Sequence, residues 1–333
     1  MVAKDVPKTG QTTVSPLVIT GASGFVGRAL VRALPAAQFP DLRVLVHRRM
    51  DPKFLNDPRI TTVHGNLLDR ATLRGLVTPG ATVVHLAYLE SAQPELDNVA
   101  AAHNLVATCR VAGIRRMIYC STAAVFGKAP DDIITEATPC RPRNAYERTK
   151  YRLENELREG ALGRHEVAIL RPAAVFGPGG RNLMSLATRI LLGDGVLNYA
   201  YACVQGRRHL HLTSVHNVAS ALAFLCAKNR RLDEHLYIVA DDDSPMNNYE
   251  DVECFLRQAF NLKRYCRVVA LPPVILSMLL KLRARSDTNP SRLYSDQKLK
   301  SAGFVKPWAF DRAVAEFASW FLAETRSLSG SVG

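Results

Sequence analysis

Tyr146 and Lys150 stand four positions apart in Tyr146-Glu147-Arg148-Thr149-Lys150. On a helix, residues at i and i+4 share a face, so a phenol and an ammonium can address one reacting centre. A phenol ordinarily titrates near about 10 and shuttles protons at neutral pH only when a positive charge stabilises its anion. A shift of about 3 units requires roughly 4 kcal/mol, which one unit charge at about 4 Å supplies at an effective dielectric of about 20. The same spacing recurs at Tyr294-Ser295-Asp296-Gln297-Lys298, so spacing alone does not choose between the two. Position does. The first pair follows the apolar run Met117 to Cys120 and the hydroxyls of Ser121 and Thr122. A doubly wound sheet presents such a strand end to ligands, whereas the second pair lies far into an irregular region.

A second constellation opens the chain. Thr20-Gly21-Ala22-Ser23-Gly24-Phe25-Val26-Gly27 directly follows the apolar Leu17-Val18-Ile19. Gly21 allows a sharp turn, Gly24 lets backbone N–H groups approach a phosphate, and Gly27 lets a helix pack closely on a strand. The helix N-terminus adds unpaired donors and a partial positive charge. The run predicts a dinucleotide pyrophosphate cradle in which Gly21, Ser23, Gly24, Phe25, Val26 and Gly27 take part.

These residues need elements to position them. Strand-like runs at Leu17–Thr20, Leu42–Val46, Ile60–Val63, Thr82–Leu86, Met117–Cys120 and Val167–Leu170 alternate with helix-like spacing at Phe25–Leu34, Ala71–Leu76, Glu95–Val111 and Ala145–Glu159. That alternation predicts an α/β fold, a Rossmann-type doubly wound parallel sheet covered on both faces. After Arg171, Pro172, Gly177-Pro178-Gly179-Gly180 and Gly193-Asp194-Gly195 break the pattern. The expected organisation is a polar tail over 1–14, a nucleotide-binding domain over 15–174, a smaller irregular substrate-binding part over 175–325 and a flexible tail over 326–333. Tyr237-Ile238-Val239-Ala240 reads as a strand near 236–240 that rejoins the sheet.

Composition narrows the classes. The 333 residues are 47% hydrophobic, with seven scattered cysteines and no Cys-x-x-Cys pair. Neither a disulfide framework nor a metal site is indicated, and a reducing cytoplasm fits best. No run reaches the roughly 18 apolar residues needed to span a bilayer. The formal charge of +13 is spread along the chain without an aromatic-interleaved basic patch, which argues against a nucleic-acid partner. The apolar stretch Val268 to Leu280, followed by Lys281, Arg283 and Arg285, reads as a core helix, a substrate lid or a shallow membrane-surface contact. Membrane contact is thus peripheral at most, and a homodimer is compatible with the chain.

With the glycines spaced Gly-x-x-Gly-x-x-Gly, Tyr146-x-x-x-Lys150 and Ser121-Thr122-Ala123-Ala124-Val125-Phe126-Gly127, the chain resembles the extended short-chain dehydrogenase/reductase superfamily over about residues 20 to 325. The resemblance implies that Thr122 is the catalytic hydroxyl, with Ser121 as the fallback, beside Tyr146 and Lys150. His85-Leu86-Ala87 resembles the strand passing under the cofactor, which places Leu86 and Ala87 near it. Asn98-Val99 is similar to the family's Asn-Val-x-Gly-Thr segment, although Ala101 replaces its Gly. Asn98 would orient a water or a backbone group near the lysine, or cap its helix. Asn66-Leu67 falls where the family usually has Asp-Leu beside the adenine. Pro172 and Val175 fall in a run that would also border the cofactor.

Members preferring NAD usually carry an acidic residue at the end of the second strand. Here the chain reads Val46-His47-Arg48-Arg49, so NADP(H) is expected over NAD(H), with His47, Arg48 and Arg49 near the 2′-phosphate. Nucleotide-sugar dehydratases carry an Asp-Glu pair where this chain has Ala123-Ala124. Sugar-nucleotide epimerases commonly have an Asn where it has Ala174. Arg171-Pro172-Ala173-Ala174-Val175-Phe176-Gly177-Pro178-Gly179, Val215-His216-Asn217-Val218-Ala219 and the segment Tyr237 to Pro245 look instead like the 3β-hydroxysteroid dehydrogenase and dihydroflavonol reductase branch. The implied activity is ketone–alcohol interconversion on an apolar small molecule, steroid-like, flavonoid-like, β-keto acyl or polyketide-type. A nucleotide-sugar epimerase and a non-catalytic NADP(H)-sensing regulator are the alternatives.

Overall fold

The computed structural model describes residues 15–47, 56–228, 236–265 and 292–330. The tail at 1–14, Arg48, Arg49 and the apolar segment at 268–285 lie outside the described residues. The strands in chain order are β1 (Leu17–Thr20), β2 (Leu42–Val46), β3 (Ile60–His64), β4 (Thr82–His85), β5 (Arg116–Cys120), β6 (Ile133–Ile134), β7 (Glu166–Pro172), β8 (Ala174–Phe176), β9 (Leu212–Ser214), β10 (Leu236–Val239) and β11 (Leu293–Tyr294). The helices are α1 (Phe25–Ala33), α2 (Arg70–Leu76), α3 (Pro94–Ala112), α4 (Ala145–Ala161), α5 (Met184–Leu192), α6 (Gly195–Gln205), α7 (Val215–Ala227), α8 (Tyr249–Ala259), α9 (Gln297–Ser301) and α10 (Phe310–Gly330). A 3₁₀ turn covers Ala123–Phe126.

Seven strands form one sheet in the order β10-β7-β5-β4-β1-β2-β3, every pair parallel. Parallel strands need both faces covered, and β1, β4 and β5 are buried at every residue. Side chains alternate between the faces. Leu17 and Ile19 share a core with Leu30, Val31, Val218 and Leu222 of α1 and α7. Val18 shares the opposite core with Leu105, Val106, Leu153 and Leu157 of α3 and α4. Neighbouring β1 and β4 carry the chain away in opposite directions, so a crevice opens beyond their C-terminal ends. Beyond β7, β8 and β9 pair in a separate two-stranded sheet, and α5, α6, α8 and α10 build a third core around Phe176, Leu256, Phe310 and Phe317.

Two boundaries differ from expectation for clear reasons. Pro172 does not break the chain but ends β7 opposite Val239, the terminal position at which a missing N–H is tolerated in a sheet. Residues 326–330, placed in the expected tail, continue α10.

The helix carrying Tyr146 is fixed at its start and along its length. Asn144 caps α4, its Oδ1 accepting from the Glu147 N–H at 2.8 Å while its Nδ2 donates to Glu147 at 2.7 Å. The Arg143 N–H donates to the same carboxylate at 2.7 Å, a reciprocal cap of capping-box type. Further along α4, Glu154 accepts two bonds from Arg171 of β7, at 3.0 and 2.6 Å, with both side chains buried. This fork locks the helix to the sheet. Removing one member leaves the other charge buried and unpaired, so Glu154→Ala should lower stability by about 3–5 kcal/mol. A denaturant titration reading less than about 1 kcal/mol of loss would show that the fork does not hold the helix.

Candidate active site

The glycine turn has the geometry of a cradle. Gly21 lies at φ +76°, and a Cβ there would stand 2.7 Å from the Ala87 nitrogen. A Cβ on Gly27 would meet the Gly21 carbonyl oxygen at 2.3 Å, so α1 packs onto the turn only because the side chain is absent. Gly24 is the N-cap of α1, with no side-chain cap and no acidic residue in the first turn. The first N–H groups of that helix therefore face outward without a competing carboxylate, which suits an anion. A dinucleotide pyrophosphate fits this turn.

The cradle opens into a cavity of about 1230 Å³ whose wall includes Gly24, Phe25, Val26, Leu86, Ser121, Thr122, Tyr146, Lys150, Pro172 and Val175. The structure thus gathers the cradle, the strand-end hydroxyls, the phenol and the ammonium around one space. Gly21 and Gly27 lie beneath it as packing positions, and Ala87 is the backbone that Gly21 approaches. Ser23, His47, Asn66 and Leu67 are not on this wall. His47 is exposed at the end of β2, and Leu67 is core. The Asn66 side chain accepts from the Leu68 N–H at 3.0 Å, closing a local turn.

Asn98 is also off the wall and does not cap its helix, whose N-cap is Gln93. Its buried amide accepts from the Leu89 N–H at 2.9 Å and donates to the carbonyls of Leu89, at 2.9 Å, and Pro94, at 2.7 Å. The backbone group it holds is that of Leu89, in the segment after β4.

Lys150 is 5% exposed, and its Nζ donates to the Cys120 carbonyl at 3.2 Å. The ammonium also lies 5.3 Å from the Tyr88 ring centre and 5.0 Å from that of Tyr119. Burial pulls its pKa below the ordinary value, partly offset by Cys120 and Glu154. Tyr146 is 44% exposed toward the cavity and meets Tyr88 edge to face at 5.3 Å. The protein's own groups push its phenol up to about 12, burial first and then Cys120 and Tyr88. Desolvation of the phenolate is the largest of these causes, as burial of a group that ionises to an anion requires. Thr122 is the N-cap of the 3₁₀ turn, its oxygen accepting from the Ala124 N–H at 3.2 Å. Ser121 is 5% exposed, and its Oγ has no hydrogen-bond partner. Tyr294 also reaches the cavity wall, from β11, but Lys298 does not.

Arg28 was not expected at the site. It stands one turn into α1, lines the same cavity and donates from Nη1 to the Ser23 carbonyl at 2.6 Å. Its position one residue after Gly27 was the available signal: a cation there faces whatever the first turn binds. Among the described residues no cluster of His, Cys, Asp or Glu could hold a metal, and no helix is long and apolar enough to cross a membrane.

A glycine turn at the switch point of a parallel sheet, facing a helix that carries Tyr146 and Lys150, suits a nicotinamide dinucleotide. The NAD dependent epimerase/dehydratase family model matches residues 17–240, and the chain belongs to that family, within the extended short-chain dehydrogenases/reductases. It is 31% identical over 170 residues to the sterol demethylase protein B of Methylococcus capsulatus, covering 48% of this chain and 52% of that one. It is 27% identical over 236 residues to the 3beta-hydroxysteroid-dehydrogenase/decarboxylase isoform 2 of Arabidopsis thaliana, covering 61% of this chain and 41% of that one. The chain thus spans about half the length of these curated relatives. The solved UDP-glucose 4-epimerase of Thermus thermophilus in complex with NAD shares the fold, with a TM-score of 0.67 and 18% identity, covering 92% of this chain and 99% of that one.

Gly21→Ala places a Cβ at a positive φ and against backbone that cannot swing aside. Dinucleotide affinity should fall at least about tenfold, since even about 1.4 kcal/mol of strain has that effect. Unchanged affinity by fluorescence titration would remove the cradle from the site.

Proposed function

We propose that this protein is an NADP(H)-dependent oxidoreductase interconverting a ketone and a secondary alcohol on a largely apolar small molecule, with Thr122, Tyr146 and Lys150 as its working groups. The observation that carries the reading is the convergence of those three residues with Gly24, Phe25 and Val26 on the wall of one cavity. When bound, the nicotinamide supplies or accepts the hydride. The chain's own residues do the rest.

Thr122 spends an oxygen lone pair on the Ala124 N–H, which leaves its proton to donate to a substrate oxygen. Ser121, on the same wall, is the fallback donor. Tyr146 gives the proton to that oxygen during reduction and takes it back during oxidation. The raised phenol pKa keeps the proton in place for reduction at neutral pH. Lys150 uses one of its three N–H donors on Cys120, which leaves two that would serve a ribose hydroxyl and the phenolate. Asn98, through Leu89, steadies the segment that follows β4.

NADP(H) is favoured by the absence of a carboxylate at the end of β2, where His47 is followed in sequence by Arg48 and Arg49. Arg28 adds a further cation beside the cradle. Ala123-Ala124 and Ala174 weigh against sugar-nucleotide dehydration and epimerisation. An epimerase would leave NADPH unchanged over a complete turnover, whereas a reductase consumes one NADPH per ketone.

Tyr146→Phe should keep cofactor affinity while turnover falls about 10²-fold or more, as expected on losing a general acid. Substantial steady-state activity in that variant would take Tyr146 out of the mechanism. Replacing Arg48 and Arg49 together by Ala should lower the preference for NADPH over NADH by about tenfold or more, the scale of a lost charge-assisted bond. An unaltered kcat/KM ratio for the two cofactors would place the 2′-phosphate elsewhere.

A further inference from the structure

A second cavity, of about 330 Å³, lies between α1, α7 and α10. Arg28 and Arg32 of α1 both line it. They stand four positions apart, so they share a helix face, where like charges repel. Among the described residues no ion pair engages either guanidinium, and the partner of Arg28 is the neutral Ser23 carbonyl at 2.6 Å. Glu316 of α10 is the one carboxylate among the described lining residues, and it is bonded at 2.5 Å to His216 rather than to an arginine. Two fixed cations against one carboxylate leave the wall net positive whichever charge the imidazole carries.

The rest of the wall is apolar and preformed. Trp308 stacks on His216 with ring centres 4.0 Å apart and planes 13° apart, and the Arg312 guanidinium lies 4.0 Å from the centre of the same indole. The buried Asn217 amide fixes the Trp308 backbone twice, accepting from its N–H at 3.1 Å and donating to its carbonyl at 3.0 Å. Ala29, Ala33 and Ala219 leave room beside it. Such a cleft suits a compact anion with an apolar body, since guanidinium forks take oxyanions and the small side chains admit carbon.

The two cavities are not independent. Phe25 and Arg28 line both. The loop after β8 closes the partition, where a Cβ on Gly180 would stand 2.6 Å from the Phe25 ring and one on Gly179 would stand 3.4 Å from the Arg28 guanidinium. One cation thus borders the glycine turn and the second cavity at once.

We infer that this cavity is a second binding site, for a small organic anion with a carboxylate or phosphate ester on a compact apolar body, and that its occupation weakens dinucleotide binding. Two anions beside one cation share its attraction and repel each other, and by linkage the weakening is mutual. Only the coupling rests on the dinucleotide reading given above.

Binding tests the site without turnover. Benzoate, phenyl phosphate and benzyl alcohol are titrated calorimetrically into the full chain free of dinucleotide. At least one anion should bind about tenfold or more tightly than the alcohol, and the stronger of the two distinguishes carboxylate from phosphate. Arg32→Gln should abolish that preference and Arg32→Lys should keep part of it. Ser220→Leu, which narrows the cavity with every charge in place, should weaken the anion. No preference in the wild-type chain, or one that survives Arg32→Gln or Ser220→Leu undiminished, overturns the site. The same anion at saturation should raise the NADPH dissociation constant about fivefold or more, read by fluorescence titration. Arg32→Gln should bind NADPH normally and lose the effect. A rise that persists in that variant means direct competition at the glycine turn, and no rise in the wild-type chain means separate cavities; either overturns the coupling. Arg32-dependent anion binding with no NADPH binding would sustain the second site and sink the oxidoreductase reading instead.

Discussion

A buried ammonium organises the centre of this protein. Lys150 is almost fully withdrawn from water, and its bonded partner is a carbonyl rather than a carboxylate. The ring faces of Tyr88 and Tyr119 supply further attraction. Around that cation the titrating groups are held neutral. His85 is pushed down to about 3 by burial and then by Lys150, and its Nδ1 lies 2.7 Å from the Thr20 hydroxyl. Cys120 is pushed up to about 11 by burial, against the pull of Lys150. The ends of β1, β4 and β5 thus surround one positive charge with uncharged groups.

At the phenol of Tyr146 burial prevails and pushes it up to about 12. The same desolvation that strengthens the ammonium's field penalises the phenolate it would stabilise. A second positive group beside the ring resolves the conflict, and an oxidised nicotinamide is such a group. On the proposed reading, alcohol oxidation would begin with that cation in place, and ketone reduction with the proton secured. Tyr146 could then serve both directions, because a bound nicotinamide's charge would change with its redox state.

Much of this was legible in the chain itself. Strands β1 and β2 run over the residues expected, because short apolar runs bounded by Gly, Asp and Pro leave little freedom in their limits. The Tyr146–Lys150 face and the glycine turn were legible because backbone geometry dictates their spacing. Roles set by tertiary contact were less visible. Nothing in the spacing of Asn98 announces a clamp on Leu89, since a helix residue bonded to a loop is seen only once that loop is placed. The burial of Tyr146 is hidden for a related reason: sequence supplies the neighbouring residue types but not the desolvation that raises the phenol. Arg28 is one among 43 Lys and Arg residues, and only the fold separates it from solvated surface.

The two halves of the chain divide the work along that line. The sheet and its crossovers supply fixed backbone, so the cradle and the proton-transfer groups sit on rigid strand and helix ends. The C-terminal part supplies side chains from α5, α6 and α8, which pack on one another and on α10 around Phe176 and Phe317. Its sequence is free to vary wherever that core survives, and the cavity wall it presents can change polarity without disturbing the chemistry opposite. A strongly constrained reaction centre facing a weakly constrained wall accounts for relatives with different substrates on one fold. It also explains why the wall, rather than the cradle or the Tyr–Lys helix, carries the information about what this particular chain accepts.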